Sequence, residues 1–175
     1  MKIKTKKLRD HAIIPALGSK GAAGADLYAC GENEDFSVMI RPGETAMIGT
    51  GISMAIPKGC GGFVFARSGM ATKRGLRPAN CVGVIDSDYR GEIIVALHND
   101  SEGHEIIKAG ERIAQLVILP YIKPEFDITD ELDSTERGAG GFGSTGYFSD
   151  DLGMDFLDLL FGERKDSEKV NDGTV

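Results

Sequence analysis

Nothing in these 175 residues stays apolar long enough to cross a bilayer, and Met1-Lys-Ile-Lys lacks the apolar stretch of a secretory signal. Cysteine is scarce. Cys30, Cys60 and Cys81 are odd in number and widely spaced, which argues against both a disulfide framework and a zinc site. The three histidines, His11, His98 and His104, show no metal-ligand spacing with those cysteines and read as surface or strand residues. A reducing, cytoplasmic setting is therefore expected, with a nucleus the alternative. Positive charge is also in deficit, with 20 Lys and Arg against 27 Asp and Glu and a net charge of −7. Residues 147–175 hold eight acidic and three basic side chains, a net of −5, so the remainder is only −2. With no basic field, any anion site must come from local arginines, and neither a long nucleic-acid duplex nor a membrane is an expected partner. The length suits one domain with a real hydrophobic core.

Glycine, by contrast, is abundant, with 24 residues serving largely as punctuation between short β-rich runs. Ser37–Ile40 leads into a Pro42-Gly43 turn, and Thr45–Ile56 is a mostly apolar run broken by glycines. Pro57-Lys58-Gly59 makes a second turn before Gly62–Ala66. Val82–Ile85, Glu92–His98, Glu105–Ile107 and Arg112–Leu119 follow. Such runs between turn signals predict an all-β antiparallel barrel or sandwich, with one short helical turn at residues 68–76. After Gly146 the composition changes to acids mixed with large apolar residues. Ser149 is placed to cap a helix over about residues 150–161, with Leu152, Phe156, Leu159 and Leu160 on one face and disorder expected beyond it. The layout is then a β domain over 1–136, a Gly-rich loop over 137–146 and an acidic extension over 147–175.

Five blocks carry the chemistry. Ala23-Gly-Ala-Asp-Leu27 sets Asp26 among small residues and reads by itself as an ordinary turn. Ala66–Leu76 opens with Arg67, Ser68 and Gly69. If Ser68 starts a short helix, the block suits a phosphate, and the plainer reading is an N-cap with solvated basic residues. In Asn80–Glu92 an apolar strand delivers Asp86 into a turn with Tyr89 close behind. A carboxylate held there can orient a water and accept its proton, whereas the plainer reading has acids facing solvent. Gln115 is the polar exception in Ala109–Ile118, and a buried amide requires partners, in the core or on a phosphate oxygen. Last comes Arg137-Gly-Ala-Gly-Gly-Phe-Gly-Ser-Thr-Gly146, with five glycines in ten positions. It reads either as a flexible spacer or as a loop that wraps a polyanion carrying an aromatic ring. It is not a Walker-type loop, since no lysine follows its last glycine and no apolar strand precedes its first.

In this order and spacing the five blocks resemble the five motifs of the homotrimeric all-β dUTPases, over roughly Ala23 to Gly146. Gly83-Val-Ile-Asp-Ser-Asp-Tyr-Arg-Gly91 and the Gly-rich loop follow that family's pattern letter by letter. The resemblance implies a jelly-roll-like β fold and hydrolysis of dUTP to dUMP and pyrophosphate. That reaction limits uracil in DNA and supplies dUMP for dTMP synthesis. Position by position, Asp86 would be the base that activates water for attack at the α-phosphorus. Arg67, Ser68, Gly69 and Gln115 would hold the phosphates, and Tyr89 would lie under the deoxyribose. Asn80 and the backbone of its hairpin would read uracil, on which Phe142 would stack. Arg137, Gly143, Ser144 and Thr145 would close over the substrate, and Asp26 would support. Mg²⁺ would be held by the triphosphate and waters, so no protein ligand to a metal is expected. The same resemblance implies a homotrimer with shared sites.

The chain departs from the family by continuing about thirty residues past the glycine loop, as either a strap on the trimer or a peptide for a protein partner at 150–161. A dCTP deaminase shares the fold but lacks the Gly-Phe-Gly-Ser-Thr-Gly run. A dUTP-sensing regulatory protein on the same scaffold is the rival from another class.

Overall fold

Strands and one short helix alternate with tight turns through a computed structural model that describes residues 1–141. The strands are β1 (Lys4–Lys7), β2 (Ala16–Leu17), β3 (Ala25–Tyr28), β4 (Ser37–Ile40), β5 (Thr45–Gly49), β6 (Ile52–Ala55) and β7 (Cys60–Phe65). Helix α1 (Ser68–Arg74) precedes β8 (Leu76–Pro78), β9 (Gly83–Ile85), β10 (Ile94–Asn99), β11 (Glu105–Lys108) and β12 (Arg112–Pro120). The chain divides into two units, Met1–Glu125 and Phe126–Val175. All strands among the described residues lie in the first.

Every strand pairing is antiparallel, as expected for an all-β jelly-roll-like fold. The largest sheet runs β2-β3-β12-β7-β9, a second runs β5-β10-β8, and two-stranded ribbons join β1 to β6 and β4 to β11. Alternation sets which face is buried. In β10, Val95, Leu97 and Asn99 point inward, while Ile94 is left outward and exposed. Leu27, Ile40, Ile48, Ile52, Leu76, Leu97, Ile107 and Ile113 have no solvent exposure and form the centre of the core. Each such side chain contributes about 1.5–3 kcal/mol relative to leaving it in water. The fully buried amide of Asn99 is satisfied by donating to the Ile40 and Gly103 carbonyls at 2.9 and 2.8 Å and accepting from the Ser101 N–H at 2.9 Å.

The turns follow their sequence signals. Glu44 N–H closes on the Arg41 carbonyl at 3.0 Å across Pro42-Gly43, where Gly43 adopts φ 74°, a conformation costly for a residue with a Cβ. Helix α1 begins at Ser68, with Arg67 as its N-cap residue and no side-chain cap bond. It stops at Gly75, whose φ of 65° turns its N–H back to the Met70 carbonyl. Local pattern had not marked β1, β2, β3 or β8 as strands. The ordinary turn expected at Ala23–Leu27 is a bend only at Ala23 and Gly24; from Ala25 the chain is extended, with Asp26 inside β3 and paired across the sheet to Gln115 of β12.

In the second unit, residues 126–141 contain local turns. Gly138 N–H donates to the Thr135 carbonyl at 3.0 Å, and Gly140 N–H to the Arg137 carbonyl at 3.0 Å. The short helix expected around 150–161 lies outside the described residues.

Candidate active site

A cavity of about 370 Å³ opens beside the turn that follows β9. Its walls are Met47, Val64, Pro78, Asn80, Gly83, Val84, Ile85, Asp86, Tyr89, Glu92, Ile93, Ile94, Val95 and Ala96. Three residues expected at the site, Asn80, Asp86 and Tyr89, are thus brought to one opening. Asn80 is placed by a sharp reversal. Cys81 N–H donates to the Pro78 carbonyl at 3.0 Å, and Val82 N–H to the Asn80 carbonyl at 2.6 Å. Cys81 takes φ 60°, which is uncommon for any residue but glycine. Strand β9 then pairs with β7, with Gly83 opposite Val64, and carries the chain to Asp86.

Asp86 opens a turn closed by Tyr89 N–H on its own carbonyl at 3.2 Å. Arg90 donates to the Ser87 and Tyr89 carbonyls at 2.8 and 2.7 Å, which braces the loop. The Asp86 carboxylate is exposed and has no hydrogen-bond or ion-pair partner among the described residues. A free acceptor on a pinned turn is what a water-activating base requires. Much of the remaining wall is apolar. Met47, Val84 and Ile94 are 69%, 64% and 48% exposed, so large apolar side chains line the opening without cover from the described residues.

A second cluster gathers on β3, β12 and the start of α1. Strand β12 lies between β3 and β7, so Gln115 faces Asp26 on one side and Phe65 on the other. The chain leaving β7 brings Arg67 back to Asp26, and its Nε donates to Asp26 Oδ1 at 2.8 Å. Arg112 Nε approaches Asp26 Oδ2 at 3.5 Å. Asp26 is 13% exposed, so one nearly buried carboxylate orients two guanidinium groups. Gln115 Nε2 donates to the Ala66 carbonyl at 2.9 Å, and its side chain packs on Gly24, where a Cβ would stand 3.0 Å from Gln115 Oε1. Ser68 and Gly69 are exposed in the first turn of α1. None of Asp26, Arg67, Ser68, Gly69 or Gln115 lines the cavity beside Asp86.

Arg137 Nε donates to the Gly140 carbonyl at 2.8 Å, a contact within its own turn. Phe142, Gly143, Ser144 and Thr145 lie outside the described residues. Two participants escaped the sequence reading. Arg112 stood in the fourth block as part of a turn and strand, and only its pairing beside Tyr28 brings it to Asp26. Glu92 closed the third block without any assigned role, yet it lines the cavity and binds Arg9, 83 residues away. No local signal announces a partner at that separation.

Comparison with known proteins bears on the same stretch. A profile of the dUTPase family matches residues 10–146. The deoxyuridine 5'-triphosphate nucleotidohydrolase of Desulfitobacterium hafniense is 52% identical over 134 residues, covering 76% of this chain and 87% of its own. The dUTPase of Staphylococcus bacteriophage 80alpha, solved with dUPNHPP, is 32% identical with a TM-score of 0.75, covering 83% of this chain and 98% of that one. A mutant dUTPase from phage phi11 of S. aureus, whose structure reveals the coordination of a structural Mg(II) ion, is 26% identical. Its TM-score is 0.68, and the match covers 77% of this chain and all of that one.

Proposed function

This chain belongs to the dUTPase family, and from that premise we propose that it hydrolyses dUTP to dUMP and pyrophosphate with Asp86 as the base that activates water. The carrying observation is the cavity that presents Asp86, Asn80 and Tyr89 together from the loops on either side of β9. Asp86 takes a proton from a water aimed at the α-phosphorus. In such phosphoryl transfer the protein's contribution is mainly positioning and charge neutralisation.

The remaining roles follow from what each side chain can offer. Asn80 has a donor and an acceptor for the edge of uracil, and a close-fitting wall at that edge rejects a methyl or an extra amino group. Tyr89 offers a flat face to deoxyribose. Arg67 spends its Nε on Asp26 and keeps its terminal nitrogens for phosphate, apart from a long contact of 3.4 Å to the Arg112 carbonyl. Gln115, Ser68 and Gly69 complete that end. Arg137, Phe142, Gly143, Ser144 and Thr145 close over the substrate, with Phe142 on the base.

Mg²⁺ fits this arrangement as an ion that arrives on the triphosphate. Asp26, the acid beside the phosphate-side arginines, is engaged by both of them. Mg²⁺ usually keeps several waters and uses substrate phosphates as ligands. When bound, it supplies neutralisation of phosphate charge. The base-side and phosphate-side residues occupy different places on one chain, which supports a site completed by neighbouring copies in a homotrimer. No helix among the described residues is long and apolar enough to cross a membrane; a cytoplasmic setting remains our proposal from cysteine usage. A protein partner for 150–161 is likewise proposed from composition alone.

The test is pyrophosphate release with Mg²⁺ from dUTP, dTTP, dCTP and UTP in parallel, in ¹⁸O-labelled water. Release from dUTP alone, with label in dUMP, is expected. Label in pyrophosphate would remove the α-phosphorus route, ammonia from dCTP would point to deamination, and tight dUTP binding without turnover would point to a sensor.

A further inference from the structure

Tyr89 is 46% exposed on the cavity wall, and the place of its ring depends on the two residues that follow Arg90. Its hydroxyl donates to the Glu92 carbonyl at 3.0 Å, folding the phenol back along the chain. At Gly91 an added Cβ would stand 2.3 Å from the Tyr89 hydroxyl oxygen and 2.6 Å from Cζ. Gly91 is not one of the glycines with positive φ, so its own backbone shape does not exclude a side chain. The ring does.

Glu92 is held in turn. Its Oε1 accepts from the Gly51 N–H at 2.7 Å and from the Arg9 guanidinium at 2.7 Å. The Arg9 and Glu92 side chains are only 20% and 19% exposed. Arg9 extends its other nitrogen to Glu32 at 2.5 Å. The bond to Glu92 chiefly, and then the bond to Glu32, hold the Arg9 guanidinium protonated far above its ordinary range. At Gly49 a Cβ would stand 2.5 Å from Glu92 Oε1, so the carboxylate sits in a slot left open by glycine. Charge-assisted bonds of this kind are roughly twice as strong as neutral ones. Nothing in the proposed reaction requires them, although Glu92 is on the cavity wall.

We infer that Gly91 and Glu92 are positioning residues for Tyr89: Gly91 leaves the space its ring occupies, Glu92 pins the carbonyl that holds its hydroxyl, and together they set how strictly the site rejects a 2′-hydroxyl. The inference rests on the reading that Tyr89 lies beneath the sugar. Rejecting one hydroxyl by lack of space needs a wall that does not yield, and a ring free to swing would yield.

The readout is the ratio of kcat/KM for dUTP over UTP, measured on the full chain with Mg²⁺, with thermal melting of each variant in parallel. A purely structural contribution would lower both rates and the melting temperature while leaving that ratio in place. Tyr89→Ala is the reference and should lower the ratio by about tenfold or more. An unchanged ratio there would remove Tyr89 from the sugar wall and overturn the reading beneath the inference. With Tyr89→Ala behaving as expected, Gly91→Ala and Glu92→Ala should each lower the ratio about three- to tenfold through faster UTP turnover relative to dUTP, and Glu92→Gln should recover part of it. Wild-type ratios in well-folded Gly91→Ala and Glu92→Ala would overturn the inference alone. Should those variants fail to fold, Tyr89→Phe removes only the hydroxyl bond. It should lower the ratio measurably, and a wild-type ratio would exclude the Glu92 carbonyl as its anchor.

Discussion

On either side of β9, Asp86, Asn80 and Tyr89 stand exposed at one opening, and the Asp86 carboxylate has no partner of its own among the described residues. Across the large sheet, Asp26, Arg67, Arg112 and Gln115 are already engaged, the acid with both arginines and the amide with the Ala66 carbonyl. The first region keeps its carboxylate free and obtains rigidity from the backbone turn around it. The second obtains rigidity from its side chains, which constrain one another before any substrate arrives. A base must have an open lone pair to take a proton, whereas a phosphate clamp gains from being pre-oriented.

The largest effect should come from the free carboxylate. Asp86→Asn is expected to lower kcat by about 10²–10⁴-fold while dUTP still binds, because the base is lost and the pocket kept. Normal turnover in that variant, followed by pyrophosphate release, would end the distinction between the two regions. On the clamped side, Arg67→Ala should lower kcat/KM by about tenfold to a hundredfold, consistent with losing a charged hydrogen bond of roughly 1.5–3 kcal/mol. Asp26→Asn should cost less, and the double variant should be no worse than Arg67→Ala, since Asp26 acts by aiming that guanidinium. Additive losses would show that Asp26 has a separate task.

A smaller effect on catalysis, but a clear one on stability, is expected from Arg74. It bonds Glu105 at 2.6 Å, Glu111, and the Ile106 carbonyl at 2.9 Å, tying the end of α1 to β11 and the turn beyond it. Arg74→Ala leaves two partly covered carboxylates facing each other and should lower unfolding free energy by about 2–4 kcal/mol, read from the denaturant midpoint. If Arg67 depends on α1 for its aim, KM for dUTP should rise as well. An unchanged KM would mean that the link to Asp26 suffices. If residues 147–175 serve as a partner peptide, truncation after Gly146 should bring the smallest change in chemistry, with kcat for dUTP within about twofold. A large fall in trimer stability would instead identify residues 147–175 as a strap.

Much of the region around β9 was legible from local pattern. An apolar strand, an acid, a tyrosine and a glycine in succession describe a strand that ends in a turn, and the structure folds Gly83–Gly91 that way. The Pro42-Gly43 and Pro57–Gly59 turns were legible for the same reason, because proline and glycine restrict or free φ locally. The clamped region was much less so. Asp26 looked like a turn residue because alanine and glycine surround it, and only pairing with β12 draws that segment out as a strand. Lys4–Lys7 shows no apolar alternation, and its strand exists because β6 lies beside it.

By itself the sequence determined the all-β class, the family, the residue types available for catalysis and the turn that carries Asp86. Each depends on contiguous residues whose propensities act over a few positions. Only the tertiary structure decided that Gln115 meets Ala66 across 49 residues, that Asp26 orients two arginines, and that Glu92 is anchored to Arg9 across 83. Such contacts form when the sheets close on their core. Burial and strand register then choose partners that no short window of sequence contains.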